Sequence, residues 1–276
     1  MQTHPETTIA LFAQVVLWWA LVGAIYLAGR GPGRAARARA ALAAQQRPAL
    51  GIAAVCLAAG ILGARLDPGR LIGAGIIAAL VYVEALVGLA LAAGIAGFDA
   101  LPVAHARARH QRAGRAVALL VALAVAGGVL GLVLGAVGQG VILSVAHETR
   151  PAGEAVHLGA ADKGAAFFAL LQGAGFAEET PYRLVIVSLV WRLAGGTRAP
   201  RRGRGLAIWA GALAFAAYHL TPLDSMYAVF WQYPIAQFTA SLLIGLVWGW
   251  LYTRRGFETA VLAHTLSDWL PALLFA

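Results

Sequence analysis

The sequence predicts an all-α membrane protein, a bundle of about eight transmembrane helices, and three observations carry that prediction. Of 276 residues, 61% are hydrophobic and only 12% charged. A soluble domain carries roughly 25% charged residues, so this chain has too few polar side chains to cover a water-facing surface. Several apolar runs reach the length of about 20 residues that a helix needs to cross a hydrocarbon core of about 30 Å. The alternating apolar and polar pattern of membrane barrel strands is not visible in the sequence.

In chain order the spans fall at roughly 9–29, 49–64, 71–97, 116–146, 164–193, 205–220, 229–251 and 257–275. The second and sixth are short and the fourth is long, with Gly127-Gly128 or the stretch near Gly138 as the expected place for a break or tilt. No cleavable signal peptide is expected, because Glu6 replaces a basic leader and the first run is full length. Residues 1–150 read as an N-terminal four-helix membrane region. Residues 151–276 read as the second half of one integrated membrane domain and contain most of the intramembrane polar residues.

The net charge of +9 comes from 21 basic and 12 acidic residues, and the pI is 10.6. Arginines crowd every second loop: Arg30, Arg34, Arg37, Arg39 and Arg47; Arg107, Arg109, Arg112 and Arg115; Arg198, Arg201, Arg202 and Arg204; Arg254 and Arg255. The alternate loops carry only Arg65, Arg70, Arg150 and Lys163. Eight crossings of consistent orientation require this alternation, and the positive-inside rule assigns the basic loops to the cytoplasm and both termini to the outside. The basic residues thus read as topology signals, and the expected surroundings are a lipid bilayer, with no nucleic acid partner. Cys56 is the one cysteine and cannot form an intrachain disulfide. The Ala- and Arg-rich composition points to a GC-rich bacterial source, hence a bacterial inner membrane.

Charged groups at mid-bilayer cost on the order of 2.5–3.5 kcal/mol each on insertion scales, so each one calls for a reason. The fifth span places Glu178 and Glu179 near its middle and Arg183 four residues after Glu179. Successive helical side chains diverge by about 100°, so the two glutamates are expected to serve different partners. Glu179 pairs with Arg183 at the i,i+4 spacing, which leaves Glu178 free. Pro181 cannot donate a backbone hydrogen bond, so the helix is expected to kink at the carboxylates, or to restart with Thr180 as its cap. Phe215 and His219 share a face of the sixth span, and His264 and Asp268 share a face of the eighth. A carboxylate, an imidazole and an imidazole–carboxylate pair on three spans suit general-base work on water and stabilisation of an oxyanion. A rise of 1.5 Å per residue puts Glu178 about 22 Å, His219 about 21 Å and His264 about 12 Å from the basic ends of their spans. Glu84 in the third span is expected to pair with a basic group, the favoured reading, or to line the cavity, and Trp231, Gln232, Tyr233 and Trp269 to sit at the interface or a cavity wall.

Three motifs stand in order: Glu178-Glu179-Thr-Pro-Tyr-Arg183, Phe215-Ala-Ala-Tyr-His219 and His264-Thr-Leu-Ser-Asp268. They resemble the EExxxR, FxxxH and HxxxN/D motifs of the CPBP (CAAX-protease and bacteriocin-processing, or Abi) intramembrane glutamic endopeptidases, which include the Ras-converting type of CAAX prenyl protease. The resemblance covers about residues 164–275, and the first four spans resemble nothing specific. Two departures stand out: Leu184 follows the motif arginine where glycine is usual, and Asp268 stands where asparagine is commoner.

The resemblance implies an eight-helix bundle with a wet intramembrane active-site cavity. Glu178, helped by His219, would activate water against a peptide carbonyl, with His264 and Asp268 stabilising the oxyanion or completing the site. Asp268 would do so as a protonated donor, as an acceptor orienting His264, or as a metal ligand. Glu179, Arg183 and Phe215 would shape the site. No cofactor is expected, although Glu178, His219, His264 and Asp268 are residue types that bind zinc. The implied partner is a membrane-anchored protein or peptide, cut in a CAAX-type, leader-peptide or C-terminal sorting reaction. The alternatives are a proton-coupled transporter, disfavoured because residues 1–138 and 139–276 show no repeat, and a catalytically silent scaffold of the same fold.

Overall fold

The structure is a computed structural model that describes residues 22–23, 26, 33–65, 67–108, 113–149, 162–199, 201–224 and 226–275. The first expected span lies outside the described residues apart from Val22, Gly23 and Tyr26. The described residues form helices and no strands. These are α1 (Arg34–Ala43), α2 (Gln46–Ala64), α3 (Pro68–Ala92), α4 (Pro102–Ala108) and α5 (Ala113–Val145). Then comes a composite α6 from Lys163 to Trp191, followed by α7 (Arg204–Tyr218), the single turn α8 (Tyr227–Phe230), α9 (Pro234–Arg255) and α10 (Phe257–Phe275). Four of these, α2, α3, α5 and α9, are long and apolar enough to cross a membrane, and α7 is a shorter apolar helix.

The seventh span begins later than expected, at Pro234. A proline fits the first helical turn, where its missing N–H is not needed, and Glu148 accepts from the next two amides, Ile235 N (3.0 Å) and Ala236 N (2.8 Å). The same device opens α4 at Pro102: Glu258, from the start of α10, accepts from Val103 N (2.9 Å) and Ala104 N (2.8 Å). A carboxylate at a helix N-terminus satisfies orphan amides and complements the helix dipole. Here each carboxylate is borrowed from a distant part of the chain, so each cap also ties two elements together.

α6 is the centre of the molecule, packed by α2 and α3 on one side and by α7, α9 and α10 on the other. Gln172 of α6 donates to the carbonyls of Cys56 (3.4 Å) and Ala74 (3.1 Å), and Ser188 bonds the Tyr252 hydroxyl at 2.6 Å. Leu184 presses onto α3 at Gly88, where an added Cβ would lie 2.9 Å from the Leu184 carbonyl oxygen. The expected pairing of Glu84 is not made among the described residues: Glu84 is buried in α3 and neither carboxyl oxygen has a hydrogen-bond partner there. Trp231 is exposed and donates to the Leu220 carbonyl, Trp269 donates to the Lys163 carbonyl, and Tyr233 is buried.

α5 does not break at Gly127-Gly128 or near Gly138; it runs unbroken for 33 residues. Its glycines serve close packing instead. A Cβ on Gly128 would sit 2.9 Å from the Ala263 carbonyl oxygen of α10, and one on Gly131 would sit 3.3 Å from Trp248 Nε1 of α9. Small residues let membrane helices approach in this way, where no hydrophobic effect drives association. The valines at every fourth position from Val117 to Val141 are all exposed, as expected of a surface solvated by lipid tails.

Gly128→Val is therefore expected to destabilise the bundle by about 1–3 kcal/mol, as overpacking does. Gly51→Val, where a new Cβ meets nothing within 4 Å, is expected to change little. Thermal unfolding of both variants in detergent checks the contrast, with a lower midpoint for the Gly128 variant alone.

Candidate active site

Each polar group of the site is set by the backbone that carries it. α6 starts as an ordinary α-helix (Lys163–Leu170), with Asp162 accepting from Gly164 N and Ala165 N at its N-terminus. It then widens into π-helical turns over Leu171–Glu178 and Thr180–Val187. Such turns pair residues five apart and concentrate at functional sites. Pro181 has no N–H, so in such a turn the carbonyl of Phe176, five residues before it, has no backbone partner there. The Thr180 hydroxyl donates to that carbonyl at 2.6 Å. The expected restart of the helix is not made: the helix continues through Thr180–Val187, and Thr180 mends the ladder where it was expected to cap a new one.

Within this widened stretch Glu179 and Arg183 are both fully buried and paired, Nε to Oε2 at 2.9 Å and Nη2 to Oε1 at 3.4 Å. Arg183 also lies over the Phe215 ring, 5.4 Å from Cζ to the centroid, while its Nη1 has no hydrogen-bond partner among the described residues. His264 Nδ1 bonds Glu179 Oε1 at 3.0 Å. His264 Nε2 lies 3.8 Å from Glu178 Oε2 and 3.5 Å from Asp268 Oδ2. The expectation that the two glutamates serve different partners is corrected: both address His264, one at each ring nitrogen. The imidazole is wedged between the two neighbouring side chains and offers one nitrogen to each, so they need not point the same way.

The group that orients His264 at Nδ1 is therefore Glu179, while Asp268 stands on the Nε2 side, where its Oδ1 accepts from Ser267 Oγ at 3.2 Å. Trp248 stacks flat on the His264 ring, with centroids 3.6 Å apart and planes 23° apart. His264 is 3% exposed at its side chain, against 23% for Glu178 and 40% for Asp268. The two carboxyls on the Nε2 side are thus the groups that solvent reaches.

His219 closes α7. Its ring is edge-on to Phe215 at 4.6 Å and to Phe230 at 5.6 Å, and Phe215 is in turn edge-on to His264 at 5.6 Å. Phe215, buried at the hub of both imidazoles, Tyr182 and Trp248, fixes their spacing. The charges of His264, His219, Asp224 and Asp268 all lie within electrostatic reach of the Glu178 carboxyl. Sequence reading missed Asp224, whose Oδ2 lies 2.5 Å from His219 Nδ1. Its one sequence signal is an acidic residue in the short loop that follows a span-ending histidine.

Nδ1 of His219 is bonded to Asp224 and Nδ1 of His264 to Glu179, which leaves Nε2 of each ring for other partners. Among the described residues no three His, Cys, Asp or Glu side chains are grouped as metal ligands. The arrangement suits acid–base chemistry: a partly accessible carboxyl beside imidazoles whose far nitrogens are held by other carboxylates.

Residues 162–270 match a family model described as Rce1-like, type II CAAX prenyl endopeptidase Rce1-like. The curated proteins and the solved structures give no match to the chain.

Removing one partner of a buried ion pair strands the other, at a cost of about 3–5 kcal/mol. Arg183→Ala is expected to lower stability by that order. The double variant Glu179→Gln/Arg183→Met is expected to regain most of it, and unfolding midpoints of the full-length variants in detergent check both.

Proposed function

With an Rce1-like protease domain at residues 162–270 as its premise, we propose that this integral membrane protein is an intramembrane endopeptidase that cuts a membrane-anchored protein or peptide with water activated by Glu178. One observation carries the reading: Glu178 is a partly accessible carboxyl inside an apolar bundle, 3.8 Å from the Nε2 of a buried imidazole whose other nitrogen is already bound.

In this reaction a water molecule between Glu178 and the imidazoles gives one proton to the Glu178 carboxylate as its oxygen attacks the peptide carbonyl carbon. His264 acts as an imidazolium: Nδ1–H donates to Glu179, which fixes the ring, and Nε2–H donates to the developing oxyanion. When the C–N bond breaks, the proton held by Glu178 passes to the leaving amine. The buried Glu179–Arg183 pair supplies fixed dipoles and excludes water from the far side of the ring. Asp268 stands with Glu178 at the accessible rim, where it keeps the Nε2 side polar.

A C-terminal CAAX-type segment, a leader peptide or a sorting helix are the substrates that such a site would take, each delivered within the bilayer. The basic loops are read as cytoplasmic, with both termini outside, in a bacterial inner membrane. The transporter alternative gains no specific support: among the described residues Glu178, His219, His264 and Asp268 share one site.

Glu178→Ala, His219→Ala and His264→Ala are each expected to lower processing by about 10²-fold or more, the usual scale of a lost general base or oxyanion donor, while the protein still inserts. Mass spectrometry of membrane-protein termini in cells carrying wild-type or Glu178→Ala protein gives the readout. Loss of one set of new termini in the variant is the expected result, and identical termini in both would end the hydrolase reading.

A further inference from the structure

We propose that Asp224 is a positioning residue of this site: it holds His219 as the tautomer protonated at Nδ1, so that Nε2 presents a lone pair to the attacking water. The inference rests on the protease reading and adds to it a second carboxylate–imidazole unit, outside the three motifs.

The geometry starts in the loop that follows α7. The Thr221 hydroxyl and amide both bond the Tyr218 carbonyl, at 2.7 and 2.9 Å, and Asp224 N bonds the Thr221 carbonyl at 3.0 Å. The chain therefore folds back on the helix end, returning Asp224 to His219 across five residues. Asp224 Oδ1 accepts from Met226 N at 2.7 Å, an Asx turn that fixes the carboxylate. That leaves Oδ2 for His219 Nδ1, at 2.5 Å. The carboxylate is buried, and Phe215 and Phe230 wall the imidazole edge-on.

An ionised carboxylate only accepts hydrogen bonds, so His219 meets it with Nδ1–H, and in the neutral ring Nε2 is then an acceptor. The water that Glu178 deprotonates has a second O–H, and Nε2 of His219 accepts that hydrogen bond, which aims the oxygen lone pair at the carbonyl carbon. The proton on Glu178 goes to the amine nitrogen as before. The second one stays on the new carboxyl group, which releases it to solvent. His219 thus orients the nucleophile and finishes the cycle unchanged. The groups packed on His219 are Asp224 from its own loop, Tyr218 beside it, Phe215 from α7 and Phe230 from α8, and Glu178 of α6 lies within electrostatic reach.

Asp224→Asn tests this. The asparagine Oδ1 can still accept from Met226 N, so the loop keeps its turn, but the amide nitrogen now donates to Nδ1 and forces the proton onto Nε2. Two measurements are made on the full-length protein. In ¹⁵N-histidine-labelled protein in lipid nanodiscs, with the His219→Gln variant identifying the resonance, wild type is expected to show the Nδ1–H tautomer and Asp224→Asn the Nε2–H tautomer. An Nε2–H ring in wild type, or no change in the variant, overturns the proposal whatever the activity.

In cells, the initial rate at which the Glu178-dependent termini appear is expected to fall by about 10²- to 10⁴-fold in Asp224→Asn and to recover in part in Asp224→Glu. Processing by Asp224→Asn within threefold of wild type, with Glu178→Ala inactive, overturns the role of Asp224 and leaves the protease reading standing. Wild-type processing by Glu178→Ala sinks that reading instead.

Discussion

The site is built around a buried charge that must not be left alone. Glu179 and Arg183 lie out of solvent in the interior of an apolar bundle, where two isolated ions would each cost several kcal/mol. They are tolerable only as a pair, and the pair is held in one orientation by the Phe215 face and by His264 Nδ1. That constraint fixes the rotation of α6 about its own axis and the depth of α10 beside it. Once both are fixed, Glu178 is set opposite the remaining nitrogen of the same imidazole. The pair thus does its work by register: the accessible acid is aimed because its neighbour in the chain cannot turn.

Much of this is legible in the sequence, because helical spacing maps directly onto contact. Glu179 with Arg183, His264 with Asp268 and Phe215 with His219 are all i,i+4 pairs, and each meets in space. Other features follow from geometry that a motif does not encode. Helical geometry separates Glu178 from Glu179, yet both reach His264 because the imidazole offers a nitrogen to each. Asp224 reaches His219 through a folded-back loop, so its distance in sequence has no helical meaning. Gly127-Gly128 reads as a weak point along one helix and turns out to be a contact surface between two, since glycine permits both and only the neighbour decides.

The aromatic side chains explain how an apolar bundle keeps a small polar site in order. Trp248 lies flat on His264, and Phe215 stands between both imidazoles. Rings of this kind exclude water from all but one side of each imidazole and restrict its rotation, while hydrogen bonds at the far nitrogens choose which face is presented. The polar reach of the site is then confined to Glu178, Asp268 and the open edges of the two histidines.

Leu184 carries a consequence for the rest of the chain. It lies so close to α3 that a Cβ on Gly88 would sit 2.5 Å from the Leu184 Cβ and 2.9 Å from its carbonyl oxygen. Residues 162–270 are therefore seated against the region before them at a seam that leaves no room for a side chain at position 88. A chimera that grafts residues 162–270 onto a foreign N-terminal region would need its own glycine at that seam before the helices could close.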